Sequence, residues 1–123
     1  MRQFSISMYM LILNKTMTTK KIESLEKRIE KKRAALLSIG AMRPGSITRQ
    51  YRDRKKETGE YYQLSYTHRM KSRTEHVWPE HLPILRKEIA AYRRHKKLCE
   101  EIVDLSIELS KSKIALLRER SKR

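Results

Sequence analysis

The stretch Gly59–Pro79, GEYYQLSYTHRMKSRTEHVWP, differs from the sequence on either side of it. Its aromatic, β-branched and basic residues alternate, which is typical of a strand, a turn and a second strand. We predict strands over 61–67 and 73–78, joined through residues 68–72. Because this connection contains no Gly, it favours a longer loop over a tight two-residue turn. Two strands alone are unstable in water, so the hairpin should rest on helices.

The sequence flanking the hairpin has the apolar spacing of helices that pack along heptad seams. The first helix begins at Thr18 or Thr19, ends before Gly40, and carries a seam of Ile22, Leu25, Ile29, Leu36 and Ile39. The second runs from Pro83 to about Glu119, with a seam of Leu98, Ile102, Leu105, Leu109 and Leu116. The predicted fold is therefore mainly α: an antiparallel, coiled-coil-like helical pair with an inserted basic loop and β-hairpin.

The first helix is too short to cover the second, which leaves apolar side chains unpaired. Leu105, Leu109, Leu116 and Leu117 would stay exposed unless a second copy covers them or the tail folds back. The pattern thus predicts a homo-oligomer, most simply a dimer.

The chain is expected to form one helical domain, 18–123, with the loop and hairpin inserted at 41–78. Within the insertion, Ala41–Thr58 is expected to be an ordered loop with a turn at Pro44-Gly45. Residues 1–17 are interpreted as a disordered or non-native extension, and the apolar run Met8–Leu13 is too short to span a membrane. A single cysteine excludes an intramolecular disulfide and favours a reducing, cytoplasmic compartment.

The charge of the chain points to a polyanionic partner. Lys and Arg number 30 against 14 Asp and Glu, which gives a formal net charge of +16, and the excess is spread along the sequence rather than confined to a tail. The chain has no catalytic constellation and no glycine-rich phosphate loop, so an enzyme is not expected. The histidines lack metal-ligand spacing, so no metal or other cofactor is predicted.

Cations concentrate around the hairpin, where a narrow ribbon could follow a phosphate backbone or enter a groove. Tyr61, on the face opposite Tyr62 and Tyr66, is the candidate for stacking on unpaired bases. The predicted nucleic-acid contacts are Arg43, Arg49, Arg52, Arg54, Lys55, Lys56, Tyr61, Arg69, Lys71, Arg73, Arg93, Arg94 and Lys97. Those on the second helix could equally be a solvated face.

The segments MRPGSITRQY, GEYYQLSYTHRMKSRTEHV and LPILRKEIAAYRRHKKLCEEIVDLSIEL, in this order after a helix, resemble an uncharacterised family of small prokaryotic, transposase-associated proteins. The resemblance covers roughly Ile22–Leu109 and implies a context of mobile elements and nucleic acid. Members often carry a cysteine cluster before the tyrosine-rich strand, which begins GEYYQLSY in this chain. The matching interval here, Arg52–Thr58, contains no cysteine.

These observations together predict a non-enzymatic protein that binds DNA or RNA, acting as an accessory factor of a mobile genetic element. The alternative is a coiled-coil scaffold or accessory subunit of a larger nucleoprotein complex. A peripheral membrane protein is disfavoured, because the apolar seams are narrow and poor in Trp.

Overall fold

The computed structural model describes residues 6–121, and the side chains of 16–121. The elements in chain order are α1 (Ile6–Leu37), β1 (Ser46–Asp53), β2 (Thr58–His68), β3 (Lys71–Val77), a short 3-10 helix (Pro79–His81) and α2 (Leu82–Ser121). The chain divides into two compact units: unit 1 comprises Met1–Leu36 and Leu98–Arg123, and unit 2 comprises Leu37–Lys97. Within 6–121, neither helix has an apolar stretch long enough to cross a bilayer.

Unit 1 is held together by side chains of α1 and of the second part of α2. Its buried cluster consists of Leu25, Ile29 and Leu105, against which Ile102 and Leu109 pack. Lys32, which interrupts the apolar seam of α1, is accommodated because its ammonium lies 2.6 Å from a carboxylate oxygen of Glu101. The seam therefore tolerates a cation by pairing it across the two helices.

Two expectations about unit 1 are corrected. The first helix begins at Ile6 rather than at Thr18 or Thr19; the predicted extension 1–17 falls partly outside the described residues, since 1–5 are not described. Leu105 is buried against α1 and Leu109 packs beside it, so neither needs a second chain, whereas Leu117 is exposed.

Unit 2 is a three-stranded antiparallel sheet in the order β1-β2-β3, with α2 packed on one side. Leu64, at the centre of β2, pairs with Ile47 of β1 and with Glu75 of β3. Leu64 is completely buried. The core of unit 2 consists of Leu64, Val77 and Ile89, with Ile47, Tyr62, Tyr66, Leu82 and Leu85 around it. Alternation along each strand then places the remaining side chains on the opposite side of the sheet.

The predicted fold class is wrong in two respects. Residues expected to form a loop are the strand β1, so the hairpin is part of a three-stranded sheet. The helices also do not form an antiparallel pair: their backbones rarely approach within 8 Å, and the first part of α2 packs on the sheet instead. The sequence did not indicate this strand, because Arg49, Gln50 and Tyr51 show no clear alternation of apolar and polar side chains.

The turn between β2 and β3 is tighter than predicted. His68 pairs with Lys71, so only Arg69 and Met70 lie between the strands, and both have positive φ, 51° and 64°. This is the backbone of a type I′ turn, which Gly or Asn adopts with less strain. The expected longer loop is therefore wrong, because the sheet enforces the turn despite its residues.

The turn between β1 and β2 is built by Asp53. Its Oδ1 accepts hydrogen bonds from the backbone N–H groups of Lys55 (3.1 Å) and Lys56 (3.3 Å). Glu57 and Gly59 then take positive φ values of 50° and 71°, which reverses the chain. An acidic side chain thus shapes a turn whose other exposed side chains are mostly cationic.

Gly45, in the segment Arg43–Ser46 just before β1, occupies a position that a larger residue could not take. Its φ is +139°, and a Cβ at this position would lie 2.7 Å from Cδ1 of Leu64 and 3.1 Å from the carbonyl oxygen of Ser65. Only Gly lets the backbone pass this close to the buried centre of β2. The residue is needed for the entry of β1 into the sheet.

Candidate nucleic-acid interface

The two faces of the sheet differ in chemistry. We call the face directed away from α2 the outer face and the other the helix side. The outer face carries Ser46, Thr48, Gln50 and Arg52 from β1, Tyr61, Gln63, Ser65 and Thr67 from β2, and Ser72, Thr74 and His76 from β3. None of these residues is acidic. The outer face is therefore polar, aromatic and free of negative charge along all three strands.

On the helix side, Glu60 is paired with cationic and phenolic groups. Nη2 of Arg49 lies 2.8 Å from Oε2 of Glu60, and the Tyr62 hydroxyl donates to Oε1 of the same carboxylate. The Tyr62 hydrogen bond, followed by that from Arg49, lowers the pKa of Glu60 below its ordinary value. The Arg49 guanidinium also lies 5.3 Å from the ring centroid of Tyr51. Arg49, a predicted contact, is thus engaged within the sheet.

Glu75 is the centre of a second helix-side network. It accepts a hydrogen bond from the Arg43 guanidinium and another, of 3.1 Å, from the Tyr66 hydroxyl. The Arg43 hydrogen bond is the main cause that lowers the pKa of Glu75 and raises that of Arg43. The backbone N–H of Arg43 also donates to the carbonyl of Glu88 on α2, at 3.1 Å. Arg43, another predicted contact, therefore ties the segment before β1 to β3 and α2.

One end of the outer face is strongly cationic. Arg52 lies over Gly59, where an added Cβ would be 2.9 Å from the Cβ of Arg52 and 3.3 Å from its Cδ. The absence of a side chain at Gly59 leaves room for the arginine stem to lie across the sheet. The turn beyond it carries Arg54, Lys55, Lys56 and one carboxylate, Glu57, all exposed. We call Arg52, Arg54, Lys55 and Lys56 the cationic turn.

Three rings lie on the outer face next to the cationic turn. The rings of Tyr61 and His76 are nearly parallel, at an angle of 25° with centroids 6.1 Å apart. Trp78, directly after β3, meets His76 edge-on with centroids 4.9 Å apart. We call Tyr61, His76 and Trp78 the aromatic row. These rings lie on the outer face, whereas Tyr62 and Tyr66 pack on the core of unit 2 from the helix side.

The structure separates the predicted contact residues into groups. Arg52, Arg54, Lys55, Lys56 and Tyr61 lie together at one end of the outer face, and Arg69 lies in the turn at the other end of β2. Lys71 and Arg73 lie on the edge strand β3, on the same helix side of the sheet as Glu75. Arg93, Arg94 and Lys97 are exposed on α2.

The sequence interpretation missed part of this surface. His76, Trp78, Gln50 and Gln63 were not among the predicted contacts, although strand alternation from Tyr61 could have found Gln63 and the spacing of His76 and Trp78 was visible. Gln63 lies between Thr48 and His76 in the register of the sheet. Placing Gln50 on this face required knowing that β1 exists.

Among residues 16–121, no three His, Cys, Asp or Glu side chains gather closely enough to hold a metal ion. Comparisons with family models, with curated proteins and with solved structures return no match. The geometry of the outer face is therefore the basis for a functional argument.

Proposed function

We propose that this protein is a non-enzymatic nucleic-acid-binding protein whose contact surface is the outer face of the sheet together with the cationic turn. The observation that carries the proposal is the division of charge between the two faces of the sheet. Glu60 and Glu75 lie on the helix side and are occupied by Arg49 and Arg43. The outer face keeps amide, hydroxyl and aromatic groups beside the cationic turn, where Arg54, Lys55 and Lys56 outnumber the exposed carboxylate of Glu57.

The chemistry of this surface suits a nucleic acid better than a generic polyanion. Lysine and arginine side chains bind phosphates irrespective of sequence, which accounts for affinity and for its dependence on salt. Gln, Thr and Ser donate and accept hydrogen bonds as base edges and sugars require. Amides, hydroxyls and rings occupy most of this face, and the cations lie at its ends.

An accessory role in a mobile genetic element belongs to the same proposal. It rests only on the resemblance carried by segments such as MRPGSITRQY and GEYYQLSYTHRMKSRTEHV, and the binding experiment below does not depend on it.

The proposal is tested by salt-titrated binding of the full chain to labelled single-stranded and duplex oligonucleotides. Replacing Arg54, Lys55 and Lys56 together with Gln should weaken binding by at least about tenfold and flatten the slope of log affinity against log salt by about two to three. Helicity should be unchanged, because exposed substitutions shift stability by only about 0.5 kcal/mol each.

The matched control removes the same number of charges from α1. Lys27, Arg28 and Lys31 are exposed in unit 1, and replacing them with Gln should weaken binding much less. Equal losses in the two variants would indicate binding by net charge rather than by the outer face. Absence of binding to every probe at low salt would refute the proposal.

A further inference from the structure

The aromatic row lies outside the buried core of unit 2. Leu64 and Val77 form the core on the helix side. Trp78, by contrast, lies outside the strands and is 60 % exposed. His76 is exposed and Tyr61 is half-buried. The three rings together form a partly exposed aromatic platform at the end of the polar face that adjoins the cationic turn.

We propose that the aromatic row binds unpaired bases, so that the outer face selects single-stranded nucleic acid over duplex. This inference rests on the proposed function and specifies its substrate class. Stacking needs the flat face of a base. In a duplex those faces are covered by neighbouring base pairs and only the edges are open, whereas a single strand can turn its bases onto an aromatic ring.

The position of the cations supports the same substrate. Along the outer face, the cationic turn adjoins Tyr61 through Gly59 and Arg52. Phosphates held at the turn therefore leave the bases of the same strand within reach of the aromatic row. A cationic groove beside stacking rings is the arrangement by which single strands are bound without sequence preference.

The amides beside the rings supply polar contacts. Gln50 pairs with Tyr61 across β1 and β2, and Gln63 pairs with His76 across β2 and β3. Both amides share the outer face with the rings, next to the positions where stacked bases would lie. Each can donate and accept a hydrogen bond at the edge of an unpaired base.

The experiment uses the full chain and a single-stranded probe of about 12 nucleotides. This length lies within the roughly 4–16 nucleotides that one OB fold binds. Trp78 is the only Trp in the protein, so its fluorescence reports directly on the aromatic row. The single strand should quench this fluorescence and bind at least about tenfold more tightly than its duplex. Heparin, a polyanion without bases, should not quench it.

Variants then separate stacking from charge. Tyr61→Ala and Trp78→Ala should each weaken single-strand binding by roughly 5- to 150-fold, the fold-change that corresponds to losing about 1–3 kcal/mol of base stacking. Duplex binding should stay unchanged, and Tyr61→Phe should retain most of the single-strand affinity. The matched control is Tyr51→Ala, which removes a tyrosine from the helix side of the same sheet.

The outcomes distinguish the two proposals. Trp78 lies outside the strands, so its replacement tests the platform even if Tyr61→Ala destabilises the sheet. Duplex binding equal to or tighter than single-strand binding, without quenching of Trp78, overturns the stacking inference but leaves the proposed function standing. Failure of both probes to bind overturns both.

Discussion

At the scale of single residues, backbone conformation decides how the ends of the sheet are shaped. Gly45 and Gly59 occupy positions where a Cβ would meet β2 or Arg52 closely. Arg69 and Met70 take positive φ without being Gly. Left-handed conformations cost a residue with a Cβ about 1–2 kcal/mol. The turn between β2 and β3 therefore carries strain that the pairing of the strands must overcome.

The strain in this turn predicts that Met70→Gly stabilises unit 2. Met70 is 99 % exposed, so its side chain contributes no packing that would be lost. We expect the free energy of unfolding to rise by about 0.5–1 kcal/mol. The substitution relieves the strain of a positive φ, and the greater freedom of Gly in the unfolded chain offsets part of that gain. Urea denaturation, monitored by the fluorescence of Trp78, measures this change in stability.

Met42→Gly is the matched control, since Met42 is also exposed but has no positive φ. It should lower stability slightly through the unfolded state. A loss of stability in Met70→Gly as large as in Met42→Gly would contradict the strain argument.

At the scale of elements, the sequence predicted β2 and β3 because their aromatic and β-branched residues alternate. It did not predict β1, whose Arg49 and Tyr51 point to the helix side and join networks there. The pairing of Arg49 with Glu60 joins residues of two strands, and the sequence alone does not give their register. The cationic turn was foreseen because its residues are consecutive, whereas the aromatic row was not, because it forms only once β2 and β3 are paired.

The network around Glu75 predicts that unit 2 loses stability in acid. The pKa of Glu75 is lowered in the folded state, chiefly by the hydrogen bond from Arg43. The stabilisation is therefore fully present above the unfolded pKa of about 4.3 and is lost as the pH falls through the lower folded pKa. Because the carboxylate is partly exposed, the pair contributes at most about 1 kcal/mol.

The measurement is the urea concentration at the midpoint of unfolding as a function of pH, with Trp78 fluorescence as the readout. Glu75→Gln should lower the midpoint at neutral pH and flatten its decline below about pH 4.3. Glu80→Gln, which removes an exposed carboxylate with no ion pair in the described structure, serves as the control. If both variants keep the full decline of the wild type in acid, Glu75 is not its source.

At the scale of the whole molecule, α2 carries a second apolar stripe besides the one that packs on α1. Val103, Ile107, Ile114 and Leu117 are all about half exposed or more, and they recur at the spacing of a heptad seam. Leu105 and Ile102 belong to the other stripe, which α1 covers. Of the leucines from which the homo-oligomer was first predicted, only Leu117 belongs to this exposed stripe, and the prediction now depends on Val103, Ile107 and Ile114 as well.

We predict that this stripe pairs with its equivalent in a second copy, and that salt strengthens the pairing. Lys111, Arg118 and Arg120 flank the stripe, so two copies repel each other until salt screens them. Sedimentation should show a mass above 14.8 kDa that rises with protein concentration and with salt. Nucleic-acid binding should weaken over the same salt range, because counterions displaced from the phosphates gain less free energy when they enter a saltier solution.

The opposite salt dependence separates the two surfaces. Ile107→Lys with Ile114→Lys should give a monomer of unchanged helicity, since both side chains are exposed, and should leave the response of Trp78 to single strands in place. Leu37→Lys is the control, because Leu37 is 89 % exposed but lies at the end of α1, outside the stripe. A wild-type protein that stays monomeric at micromolar concentration and high salt would show that the stripe does not pair with itself. If the paired form instead dissociated with salt, charge complementarity rather than apolar contact would hold it together, and the stripe would not be the interface.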